Sequence, residues 1–345
     1  MVRTLTLLSS EREITSPVML CDQKGKLNRD SIGWSRKPIV TSNLTRHFLR
    51  KKKWNYWCVF GQDAMFSATV SHLDYALVCF VYYLEYETND YFEKTIIVPL
   101  KGGDIMPDTV SGSVEVIHKD NGLFFIYDGQ SIHLKVSSKD FGGKSLKADI
   151  KIYCPDTLES LNVVVPWSND KFQYTSKQQC LPAEGEFSVG EKSFTFNKAN
   201  DSAVLDFGRG DWPRRISWNW GMASGKQGKD MIGLNFGGKW TDGTGITENG
   251  LLINDKLTKI HEPVDFIYDD DQLMDNWRIN SKDTDDIRLE FTPFFKRSST
   301  TNLWLVKSQM FQLFGYYSGE IKTHQGEKVK ISKLIGSIED HVAKW

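Results

Sequence analysis

Cysteine is scarce in this chain of 345 residues, and the five present (Cys21, Cys58, Cys79, Cys154, Cys180) are scattered, odd in number and free of any C-x-x-C pair. That spacing argues against a disulfide framework or a zinc site. Charge of one sign is also missing: the formal net charge is -1, so no basic field attracts nucleic acid or an anionic membrane. No long hydrophobic run exists. The most apolar segment, Tyr75 to Leu84, is too short for a transmembrane helix, and stable membrane insertion is not expected. The N-terminus MVRTLTLLSSEREI reaches charged residues before any sufficient apolar stretch, which excludes a signal peptide and places the protein in the cytoplasm by default.

Several chemical signatures are incomplete. Gly142-Gly143-Lys144-Ser145 ends like a phosphate-binding loop, but Ser138 stands where its first glycine belongs. Asp269-Asp270-Asp271 lacks the glycine and distal glutamate of a calcium loop. His261-Glu262 lacks the second histidine of a zinc helix, and no Gly-x-Ser-x-Gly elbow occurs. No metal or organic cofactor is expected.

What is abundant is strand signal. From Trp54 onward, segments such as YALVCFVYYLEY, GSVEVIHK and SIHLKVSS succeed one another with Gly, Asp, Asn or Ser between them. Ile132, Leu134 and Val136 alternate with His133 and Lys135, the period of a sheet buried on one face. Residues 154–200, with Pro155, Pro166 and Pro182, read as a crossover between two β bodies, with room for a short helix within 139–180. Lys-Lys-Lys-Trp54-Asn-Tyr-Trp57 echoes Pro-Arg-Arg-Ile-Ser-Trp218-Asn-Trp220, either by chance or because two similar halves each open on a basic, aromatic strand. The expected fold is all-β, with a first domain over 1–180 and a second over 181–345.

The densest chemistry lies in Asp206 to Gly250, which holds four of the eleven tryptophans, Trp212, Trp218, Trp220 and Trp240. Indoles alternating with Arg, Asn and Ser suit a pocket that is mainly apolar with a few fixed polar contacts. Strand phase places Arg214, Ile216, Trp218 and Trp220 on one face, so Arg214 enters with the indoles and needs an acid, Asp211, Asp242 or Glu248. A structural ion pair in an ordinary Trp core reads the same residues equally. The run Gly237 to Gly250 carries five glycines and a set of donors and acceptors including Thr244 and Asn249. It is either a loop bonded to its own backbone or a ligand-contacting hairpin. The candidate ligand-binding residues are Trp212, Arg214, Trp218, Asn219, Trp220, Asn235, Trp240, Thr244 and Asn249. The candidate acids are Asp242 and Glu248.

The segments WPRRISWNWG and GLNFGGKWTDGTGITENG, with LCDQKGKLNRDSIGWSRKP, FTPFFKR and FGYYSGEI, resemble a bacterial family carried as a domain of unknown function. That family is distantly similar to the carotenoid hydratase (hydroxyneurosporene synthase) and AttH-like group. The resemblance implies two consecutive lipocalin-like antiparallel β-barrels or strongly curved sheets, with an apolar cavity that could lie at their junction. It implies binding of a lipid, isoprenoid or polyketide-like molecule, or else a cofactor-independent hydratase or cyclase-like lyase. A structural or partner-binding protein with filled barrels is the third reading.

Overall fold

The structure is a computed structural model describing residues 11–46, 48–99, 105–303, 306–323 and 325–344. Among these residues it is almost entirely β, with a single 3-10 turn at Arg29–Ser31, and no helix is long and apolar enough to cross a membrane. The segment 139–180 holds no helix. It forms strands, and the segment read as a crossover contains the long strand Lys171–Val189. This strand kinks where Cys180 (φ 59) and Gly185 (φ 131) take positive φ. Its first part pairs with Ser202–Asp211 and its last part with Lys144–Tyr153. Its polar residues and Pro182 imitate a loop because the bends absorb them.

Apart from the short parallel pair Val18–Met19 and Val40–Thr41, the strands form two large antiparallel sheets. The first runs from Tyr91–Pro99 through Ala76–Glu85, Ala64–His72, Lys51–Phe60, Ser202–Asp211 and Lys171–Val189 to Lys144–Tyr153, Ser131–Phe141, Asn121–Tyr127 and Val114–His118. The second holds the described strands from Arg215 on, in the order Lys256–Ile260, Asn249–Ile253, Asp230–Gly238, Arg215–Gln227, Lys328–Lys344, Val306–Lys322, Ile287–Leu303, Trp277–Ser281 and Val264–Ile267. Each sheet curls around its own core, as in a lipocalin-like half-barrel. The boundary expected at 180/181 falls inside one strand, and sheet membership changes between Asp211 and Arg215.

The two curls press back to back, which explains why some strands alternate and others do not. Outlying Ser131–Phe141 is buried on one face only. In Lys51–Phe60, Trp57 and Val59 enter the first core, while Tyr56, Cys58 and Phe60 join Trp220, Met222 and Phe314 in a layer between the sheets. Ser202–Asp211 is buried on both faces throughout. In a strand covered twice both sets of alternate residues are buried, so here polar residues such as Asp206 and Arg209 are buried alongside Leu205 and Phe207.

Candidate functional site

Between the sheets lies a cavity of about 380 Å³, and strand register dictates its walls. Across the first sheet one row of cross-strand neighbours reads Thr95, Phe80, Thr69, Tyr56, Asp206, Lys177. The next row reads Ile97, Val78, Ser71, Trp54, Gly208, Thr175. Because side chains directly opposite share a face, both rows point the same way, toward the second sheet. The second sheet answers with Trp220, Glu339, Gln312 and Arg297 in one row and Trp218, His341 and Met310 beside it. All of these except Gly208 and Gln312 line the cavity, joined by Trp212, Trp240, Glu248 and Gln173. The sequence echo has a structural counterpart: its two aromatic strands face each other, with Tyr56 and Trp220 edge to face at 5.8 Å.

Two glycines make room for this arrangement. A Cβ on Gly208 would lie 2.1 Å from the Trp54 indole, and one on Gly237 would lie 2.2 Å from the Glu248 carboxyl. Trp54 therefore lies across the backbone at 208, edge-on to Trp212 at 5.5 Å, and Glu248 lies across 237. Trp212 stacks with Trp240 at 6.2 Å and meets Trp218 edge-on at 5.6 Å, so the indoles form one connected wall.

The inner end is charged and its side chains are buried. Lys177, only 4% exposed, holds Asp206 at 3.0 Å and Glu248 at 3.5 Å, with its ammonium 4.1 Å from the Trp220 ring centre. Burial alone would lower the Lys177 pKa, but the facing carboxylates outweigh it and raise the value above that of a free lysine. Burial raises the Glu248 carboxyl; the Lys177 charge opposes this and Asp206 adds to it. Glu248 also accepts from Trp240 Nε1 at 2.5 Å. Glu339 is 8% exposed and accepts from Trp218 Nε1 at 3.3 Å. Burial pushes its pKa up to about 7, so near neutrality it exists as both acid and carboxylate. Burial likewise pushes His341 down to about 3, leaving a neutral ring against Trp218 and within 2.8 Å of Ser308 Oγ.

At another wall Arg297 grips Glu93 bidentately at 2.7 and 2.8 Å, over the rings of Phe80 and Tyr82. Burial alone would raise the Glu93 pKa, and Arg297 reverses this and holds it below the usual glutamate value. Four buried polar atoms of lining residues have no hydrogen-bond partner among the described residues: Thr69 Oγ1, Tyr75 Oη, Gln173 Nε2 and Glu248 Oε2.

The residues singled out from sequence divide clearly. Trp212, Trp218, Trp220, Trp240 and Glu248 line the cavity. Asn235 stands behind it, accepting from Trp220 Nε1 at 2.9 Å and donating to the Glu248 carbonyl at 2.6 Å. Asn219 lies on the opposite strand face, bonded to Asp340 and the Glu339 carbonyl, and Asn249 ties Gly237 N–H to the Glu262 carbonyl. Thr244 bonds its own loop, donating to the Thr241 carbonyl at 2.7 Å. Asp242 and Arg214 are exposed and outside the lining. Arg214 misses the cavity because the strand starts only at Arg215, after Pro213. Sequence reasoning missed Lys177, Asp206, Arg297 and Glu339 as cavity residues.

The family described as "Domain of unknown function (DUF2804)" matches residues 11–345. The chain belongs to the DUF2804 family. No curated protein matches its sequence. This DUF2804 protein is similar in fold to kievitone hydratase from Nectria haematococca (12% identity, TM-score 0.50, covering 85% of this chain and 88% of the other). It is similar to a putative AttH from Nitrosomonas europaea (10%, TM-score 0.51, 87% and 94%) and to CghA (9%, TM-score 0.50, 85% and 87%). At such identities these likenesses establish the fold shared by the DUF2804 chain and say nothing of its ligand.

Proposed function

We propose that this protein binds a hydrophobic small molecule, of lipid, isoprenoid or polyketide-like character, in the cavity between its two sheets. One observation carries this reading: an indole-walled cavity of about 380 Å³ whose lining residues Thr69, Tyr75 and Gln173 each hold a buried polar atom that makes no hydrogen bond among the described residues. Small-molecule sites have this composition, apolar walls with a few orienting polar groups. An orphaned buried donor or acceptor costs about 1–3 kcal/mol, a penalty that a bound polar group removes. Trp212, Trp218, Trp220 and Trp240 supply the walls, and Gln173, Thr69 and the Lys177 cluster orient the polar part. Asn235 acts as a positioning residue for Trp220 and Glu248. Native mass spectrometry of protein purified without detergent tests this. The wild type should carry an apolar passenger and Trp218→Ala should lose it; equal occupancy in both would refute the assignment.

A second reading is a cofactor-independent lyase, a hydratase or cyclase-like enzyme. Its support is Glu339, a carboxyl that keeps a substantial protonated fraction near neutrality and is set among indoles, as acid catalysis at an electron-rich double bond requires. Hydration would move the Glu339 proton to one alkene carbon, add water to the other and return a water proton to the carboxylate. Glu248 is the other candidate acid. The named relative kievitone hydratase makes such chemistry compatible with the fold, and no more.

A further inference from the structure

The inner end of the cavity is short of positive charge. Of the four lining cations, Lys52 and Lys53 lie farther along Lys51–Phe60, near Asp74 and Asp108, while Lys177 is committed to Asp206 at 3.0 Å and Arg297 bidentately to Glu93. Glu248 Oε2 is left with Lys177 at 3.5 Å and accepts no hydrogen bond. Among the described residues the Glu339 carboxyl accepts only from an indole N–H. The groups facing Glu339 are Trp218 and Trp220 from Arg215–Gln227, Gln312 from Val306–Lys322 and Arg297 from Ile287–Leu303. From the first sheet come Tyr56, Asp206 and Lys177, with Glu248 behind Lys177, while His341 on its own strand is neutral. Three carboxyls therefore share one ammonium inside a wall of aromatic rings, whose faces attract cations. An anionic ligand would meet carboxylates there, and a neutral one would leave the imbalance standing.

We propose that the ligand of this cavity carries a cationic nitrogen, as an apolar amine or quaternary ammonium, seated at the inner end against Glu339 and Glu248 with its apolar body along the indoles. The inference rests on the binding reading above and narrows it to a charge class. Without the ligand, a proton on Glu339 partly offsets the missing cation, and the ligand's charge replaces that proton on binding.

The test uses benzyltrimethylammonium, whose charge does not titrate, its uncharged carbon isostere neopentylbenzene, and phenylacetate, each competing with Nile red for the wild-type protein. The ammonium should bind more tightly than the isostere at pH 8, and phenylacetate should bind least. With Glu339 titrating near 7, proton competition should weaken the ammonium about tenfold between pH 8 and pH 6 and leave the isostere unchanged. Calorimetry at pH 7 in two buffers of different ionisation enthalpy should show about half a proton released per ammonium bound. Glu339→Gln should flatten the pH profile and narrow the gap between ammonium and isostere. Equal or weaker binding of the ammonium at pH 8, or a pH-independent profile without proton release, would overturn the charge assignment. Failure of Nile red itself to bind wild-type protein would instead strike the underlying binding reading.

Discussion

Replacing Glu339 by Gln should make the protein more stable, and only above a particular pH. Its carboxyl titrates near 7 in the folded chain against an ordinary 4.5, because burial disfavours the charge and Trp218 Nε1, Arg297 and Lys177 compensate only partly. The folded state thus holds a proton that the unfolded state has released across this window. Stability from this group is fully present below 4.5 and is lost as pH rises through 7. A shift of about 2.5 units at about 1.4 kcal/mol each corresponds to about 3 kcal/mol. Glutamine keeps the shape and an acceptor for Trp218 but carries no charge to bury. Urea unfolding should therefore find Glu339→Gln more stable than wild type by about 3 kcal/mol at pH 8, with no difference beyond about 0.5 kcal/mol at pH 4. A variant of unchanged or lower stability at pH 8, or one offset equally at both pH values, would refute the reasoning. A residue whose removal stabilises the fold is what a site kept for binding or chemistry, at some expense in stability, would contain.

Gly208→Ala would place a methyl group 2.1 Å from the Trp54 ring, forcing the indole off the wall. Thermal unfolding should show a loss of about 1–3 kcal/mol, and Nile red titration a weakened affinity. Arg297→Met leaves the half-buried Glu93 carboxylate without its cation and should cost about 1–3 kcal/mol in urea unfolding, whereas exposed Arg214→Ala should stay within about 0.5 kcal/mol.

The fold was readable because turn residues and period-two alternation are local properties, as in Ser131–Phe141. Half of the site was readable for the same reason: Trp218 and Trp220 share a face by alternation alone, and glycines beside indoles announce close packing. The charged half was not. Lys177 lies in a polar segment that resembles a loop, yet Gln173, Thr175 and Lys177 alternate with Phe172 and Tyr174, which marks a strand with a polar second face. Asp206, Gly208 and Gly210 likewise alternate with Leu205 and Phe207. Glu339 stands in a tail strand that reads as an ordinary surface strand. Nothing local says that a second sheet covers it, because Trp220 and Lys177 reach it only through long-range pairing and the packing of two curls. Arg214 was misplaced by one assumption of phase, since the strand begins after Pro213 and not at it.

The central claim is that the space between the sheets holds a guest molecule. The mass of the intact protein, recorded under native conditions straight after detergent-free purification, addresses it most directly. A discrete additional mass, released on unfolding and absent from Trp218→Ala, is the result expected. Bare protein mass in both, together with no uptake of Nile red by the wild type, would contradict it.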